Sequence, residues 1–137
     1  MRKIICLILF FGMLLVLTGE VISCKADNTE TSVESTIRAY ADPATETTLQ
    51  GLSEGDLAKY TQCANAEFKA ALTQEMFDAT AAQINSQLGA YESKEFLSTE
   101  EQQGYTIVHY KAKYANAEVG IKMVFDKNHL VAGQWFE

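Results

Sequence analysis

Histidine, proline and positive charge are all scarce in this chain of 137 residues, which has two histidines, one proline and 11 Lys and Arg against 18 Asp and Glu. Binding to a phosphate backbone needs clustered Lys and Arg, so nucleic acid is not expected as a partner. Anionic lipid headgroups are repelled for the same reason. Two scattered histidines and three cysteines have no metal-ligand spacing, and no phosphate-cradling glycine loop is present, so no metal or cofactor is expected. A disulfide-stapled secreted domain would carry an even set of cysteines in its mature part. Here Cys6 lies in an apolar leader, Cys24 just after it, and only Cys63 is left. Flanked by Gln62 and Ala64, with no activating base close in sequence, Cys63 reads as a small buried hydrophobe.

What the chain does have is an export leader. Arg2 and Lys3 precede an apolar run from Ile4 to Thr18. A membrane span needs about 20 apolar residues, so this run fits the h-region of a signal peptide better. It ends in Val21-Ile22-Ser23-Cys24, which resembles a lipobox, the signal for acylation of a cysteine and cleavage just before it. The expected organisation is a signal peptide over 1–23, a polar tether over 24–41 and a folded domain over 42–137. Ordinary secretion with cleavage after Ala26, an uncleaved anchor, and a frayed helical turn in place of the tether are the alternatives. Loss of 1–23 takes Arg2 and Lys3 from the 11 basic residues and Glu20 from the 18 acidic ones, leaving 9 and 17, a net of −8. A domain so acidic attaches to a membrane through acyl chains on Cys24, and a diacylglyceryl group suffices for that.

Periodicity divides the folded part in two. Asp42-Pro43 reads as a helix start, with a side-chain acceptor at the N-cap and proline at the first position. Leu49 and Leu52 share one face, Gly55 ends that helix, and Leu57 and Tyr60 continue into a short second one. Thr73 caps a third helix over Gln74–Leu88, whose Phe77, Ala81, Ile84 and Leu88 form an apolar stripe that Gly89 terminates. The period then falls to 2. Strands are expected at Tyr91–Leu97, at Tyr105–Tyr114, at Val119–Phe125 and at Leu130–Phe136, with Glu100 and Glu101 at a hairpin tip. Short turns make such strands antiparallel. The fold class is therefore α+β, N-terminal helices packed on a four-stranded antiparallel meander.

The segments Leu49-Gln50-Gly51-Leu52, Phe68-Lys69-Ala70-Ala71-Leu72-Thr73, Gln87-Leu88-Gly89-Ala90-Tyr91, Tyr110-Lys111-Ala112-Lys113-Tyr114 and Val131-Ala132-Gly133-Gln134-Trp135-Phe136 resemble the DUF3887 family. The resemblance covers nearly the whole mature domain. It implies an envelope protein of uncharacterised role with a cone fold similar to that of nuclear transport factor 2 and of cystatins, and its concave pocket lies between sheet and helices. Some members stand beside α/β-hydrolase domains, an activity that is not carried over to this chain.

Tyr60, Tyr110, Trp135, His109 and Asp56 are the candidates for lining such a pocket. Tyr110 and Trp135 lead because each has a polar handle that needs a partner when buried. The plainer readings are core aromatics, a surface histidine and a helix cap. With no convergent titratable set, the leading function is a non-catalytic, lipid-anchored domain facing outward from the membrane, binding an unidentified small ligand or an envelope protein. A small cone-fold enzyme using Asp56, His109 or a tyrosine as acid/base is the alternative, and an accessory subunit of an envelope complex is a third. Palmitate is expected to label the wild-type protein in its native host and not Cys24→Ala; equal labelling of the two would remove the anchor.

Overall fold

The structure, a computed structural model, describes the backbone of residues 17–137 and the side chains of residues 31–137. The leader's apolar run up to residue 16 and the side chains of Val21–Cys24 therefore lie outside the described residues. No helix among the described residues is long and apolar enough to cross a membrane. The chain divides into two units, 1–37 and 38–137. The first is helical in backbone from Leu17, and in its last turns the Thr36 hydroxyl donates back to the Ser32 carbonyl at 2.9 Å.

Helix α1 spans Leu17–Glu54. Helical backbone thus runs through the stretch 24–41 read as a tether, and Pro43 lies inside the helix instead of at its start. Asp42 is not an N-cap. Its Oδ1 accepts the Tyr110 hydroxyl at 2.9 Å and its Oδ2 accepts Arg38 Nε at 3.2 Å. A proline costs about 3 kcal/mol in a helix interior, so only tertiary contact sustains the helix through this point. The end of α1 follows expectation. Gly55, at φ +70°, donates to the Leu52 carbonyl and Asp56 to that of Gly51, a Schellman closure that needs a left-handed residue.

Three shorter helices follow: α2 (Leu57–Tyr60), α3 (Ala66–Ala71) and α4 (Gln74–Leu88). Each has a side-chain cap of the preferred kind, from Asp56, Asn65 and Thr73 in turn. Leu52 of α1 packs with Phe77 and Ala81 of α4, and Leu57, Tyr60, Leu72, Ile84 and Phe136 close around them. The sheet is an antiparallel meander in the order β1 (Tyr91–Gln102), β2 (Tyr105–Tyr114), β3 (Glu118–Phe125) and β4 (Val131–Phe136). Glu100 and Glu101 belong to β1, paired with Ile107 and Thr106, so the expected hairpin tip falls instead at Gln103-Gly104. Their charges hid a strand whose register is set by its partner. Val108, Tyr110, Ala112 and Tyr114 of β2, with Ile121, Met123 and Phe125 of β3, face the helices and are buried. The α+β fold is thus the one expected, with helices layered on a four-stranded meander.

Gly51 fixes the approach of α1 and α2. A Cβ there would lie 2.4 Å from the Tyr60 nitrogen and 2.7 Å from its Cα, backbone atoms that cannot turn aside. Gly51→Ala should therefore destabilise by about 2–3 kcal/mol, because overpacking outweighs the ~1 kcal/mol that alanine gains in a helix. Urea unfolding checks this; an unchanged or higher midpoint would contradict the close approach.

Candidate functional site

Two turns and one helix end meet at one edge of the sheet. Gln103 and Gly104 join β1 to β2 with φ of +53° and +83°, the pair of left-handed residues that a type I′ hairpin demands. The turn between β3 and β4 is closed by Asp126. Its Oδ1 accepts the amides of Asn128 at 2.8 Å and Leu130 at 3.1 Å, and its amide donates to the Leu130 carbonyl. Asn65 ties this turn to α3. Its Oδ1 caps the helix at the Phe68 amide, 2.8 Å away, while its Nδ2 donates to Asp126 Oδ2 at 3.2 Å. The backbone of Asn65 also donates to the Val131 carbonyl, and this residue is 7 % exposed.

These elements enclose an open cleft of about 400 Å3, lined by Glu67, Gln103, Gly104, Tyr105, Asp126, Lys127 and Asn128. The volume lies within the range of small-molecule sites. Desolvation pushes the Asp126 carboxyl up, but the amides of Leu130 and Asn128, the Asn65 side chain and the Lys127 charge outweigh it and hold the pKa below the ordinary value. Asp126 is therefore ionised at neutral pH, and these bonds hold its carboxylate in place.

The residues singled out from sequence lie elsewhere, in separate places. Asp56 caps α2, accepting the Lys59 amide at 3.0 Å. Tyr60 packs in the helical core, 5.1 Å from the Phe77 ring and 6.0 Å from Phe68, and burial pushes its phenol up to about 12. Tyr110 is 1 % exposed on the inner sheet face, bonded to Asp42 with Phe96 edge-on. Burial, reinforced by the Asp42 carboxylate, raises its pKa well above the usual phenol range. His109 and Trp135 do share a surface. Both pair with Lys122 across β3 and point outward from the helices. There His109 Nδ1 lies 3.3 Å from Glu137 and Nε2 3.6 Å from Glu100. The Trp135 ring folds over Gly133, where a Cβ would stand 2.3 Å from it, and Lys122 Nζ sits 5.5 Å from the ring centre.

A second polar seam joins α1 to β1. Tyr91 donates to Glu46 at 2.8 Å, Lys94 lies 3.5 Å from the same carboxylate, and the Arg38 guanidinium covers Phe96. Every group here is engaged by another, so the seam fastens the helix to the sheet. Gly51-Leu52-Ser53-Glu54-Gly55 spells the Gly-x-Ser-x-Gly of a nucleophile elbow, a match that the reading of the sequence passed over. It is a helix end, however, not a strand-to-helix turn, and Ser53 Oγ accepts the Tyr91 amide at 3.0 Å. Among the described residues no group of three or more His, Cys, Asp or Glu could hold a metal ion. The cleft's chemistry is thus hydrogen bonding and ring contact, without a nucleophile placed beside a base.

A family model matches residues 45–133, a stretch that takes in every residue lining the cleft. The chain belongs to the DUF3887 family. That family is described as a protein of unknown function, so membership brings no activity with it. The fold has a counterpart in the NMR structure of a protein from Ruminococcus gnavus ATCC 29149, which is 16 % identical with a TM-score of 0.51. The likeness covers 74 % of this chain and 88 % of that one, and at such identity it speaks of fold alone. No curated protein matches the chain.

The lining of the cleft is not among the site residues expected from sequence, where Asp126-Lys127-Asn128 simply falls in the short turn between two expected strands. The available signal was the charge and amide content of that turn and of Gln102-Gln103-Gly104. Because the Asp126 pKa is lowered, the carboxylate stabilises the fold above its ordinary value of 3.8, and this contribution fades as pH falls below it. Asp126→Asn should accordingly melt below wild type at pH 7, and the gap in thermal midpoint should close toward pH 2. A gap that stays constant or widens in acid would contradict the assignment.

Proposed function

We propose that this DUF3887 protein is an outward-facing envelope lipoprotein, anchored through acyl chains on Cys24, whose domain binds a ligand in the sheet-end cleft without catalysing a reaction. The observation that carries the binding half is the cleft itself, a volume of about 400 Å3 whose lining residue Asp126 is tied to Asn65. The anchor rests on the lipobox-like Val21-Ile22-Ser23-Cys24 behind an apolar leader. The cone architecture of nuclear transport factor 2 belongs to the same proposal, supported by helices packed on a four-stranded meander within 38–137.

What weighs against the enzyme alternative is the scatter of its acid/base candidates. Asp56 is spent on a cap, Tyr60 and Tyr110 are packed inside, and His109 stands between two carboxylates on the far face of the sheet. General acid–base catalysis needs such groups within hydrogen-bond reach of one reacting centre. The purified full-length protein is expected to turn over nothing in a broad hydrolase screen. Turnover that disappears in His109→Ala would overturn the non-catalytic reading.

A further inference from the structure

The electrostatics of the cleft go further, to the class of its ligand. Three charged groups line it, Glu67, Asp126 and Lys127. Asp126 already accepts three hydrogen bonds, two on Oδ1 and one on Oδ2, so most of its lone-pair capacity is taken and it has little left for a cationic ligand. Glu67 and Lys127 are of opposite sign, and the Lys127 charge also acts on Asp126, so no excess of one sign is left free to select a charged ligand. Anions are disfavoured besides by a chain of net charge −7.

What is left to recognise a ligand is neutral and two-sided. Gln103 and Asn128 each present a carboxamide, which donates and accepts, and both are exposed. Tyr105, the first residue of β2, adds an aromatic side chain and is 45 % exposed. Hydroxyl groups both donate and accept, and a hydroxylated ring has C–H edges that pack on an aromatic face. We propose that the cleft takes a neutral, polyhydroxylated ligand of the saccharide class, its ring against Tyr105 and its hydroxyls on Gln103 and Asn128. This rests on the reading of the cleft as the binding site.

Amide shifts of the 15N-labelled full-length protein in detergent micelles test it. The probes are glucose, N-acetylglucosamine, maltotetraose and chitotetraose, with spermidine as a cationic control. A saturable shift of the Gln103, Gly104, Tyr105 and Asn128 amides with at least one sugar is expected. Tyr105→Ala should weaken it about tenfold, the loss of one aromatic contact. Gln103→Gly, which keeps the left-handed turn, should weaken it several-fold. Tighter binding of a tetramer than of its monomer would indicate a polymer as the source, and equal binding a free sugar. Saturation by spermidine and by no sugar would overturn the saccharide class while leaving the cleft as the site. Silence of these amides toward every probe, or sugar shifts confined to the Trp135 face, would overturn both.

Discussion

The fold depends on how α1 is held against the sheet, and the bond from the Tyr110 hydroxyl to Asp42 is at the centre of that contact. Tyr110 is almost wholly buried, and a phenol taken out of water without a partner would cost several kcal/mol. Asp42 supplies the partner from the position just before the proline, where the helix is weakest. Four residues on, Glu46 receives Tyr91 and Lys94 from β1, and Arg38, four residues before, binds Asp42 from the other side. The i, i+4 spacing sets these side chains in one row, so one helix face carries both the apolar seal of Leu49 and Leu52 and the polar row that fixes its register.

Once α1 is seated, the short helices have little freedom. The Schellman closure at Gly55 turns the chain back, and the close approach at Gly51 lets α2 lie against α1. The chain then reaches Asn65, where a cap, a backbone bond to β4 and a side-chain bond to Asp126 converge. The cleft is a by-product of that convergence. A helix end is pinned beside two turns, and their side chains surround the space left between them.

How far this was legible in the sequence depended on the range of the force involved. Helix α4, with Thr73 at one end and Gly89 at the other, and strands β2, β3 and β4 were readable because apolar period and turn chemistry are local and agree. Asp42-Pro43 misled for the opposite reason. Its local preference is a helix start, and the contact that overrides it comes from Tyr110, 68 residues away. Helix α3 escaped notice because it spans only six residues with no apolar stripe, and β1 looked short because its far end is rich in Glu and Gln. The cleft was the least legible part. Its residues are exposed and polar, come from three distant segments, and each already has a plain explanation as a turn or a helix surface.

The pattern of charge links that cleft to the rest of the chain. Three acidic groups elsewhere are each paired with a lysine: Glu54 with Lys59, Glu118 with Lys111, Glu92 with Lys113. Exposed pairs of this kind add little stability, about 0–1 kcal/mol each, yet they neutralise the field close to the surface. At the cleft a carboxylate is held more firmly. Asp126 is satisfied by two backbone amides and one buried carboxamide, which hold their positions in salt where ion pairs weaken. Asp126 thus keeps its charge while three of its acceptor positions are filled by fixed dipoles, so what the cleft leaves open is chiefly the carboxamides of Gln103 and Asn128 and the ring of Tyr105.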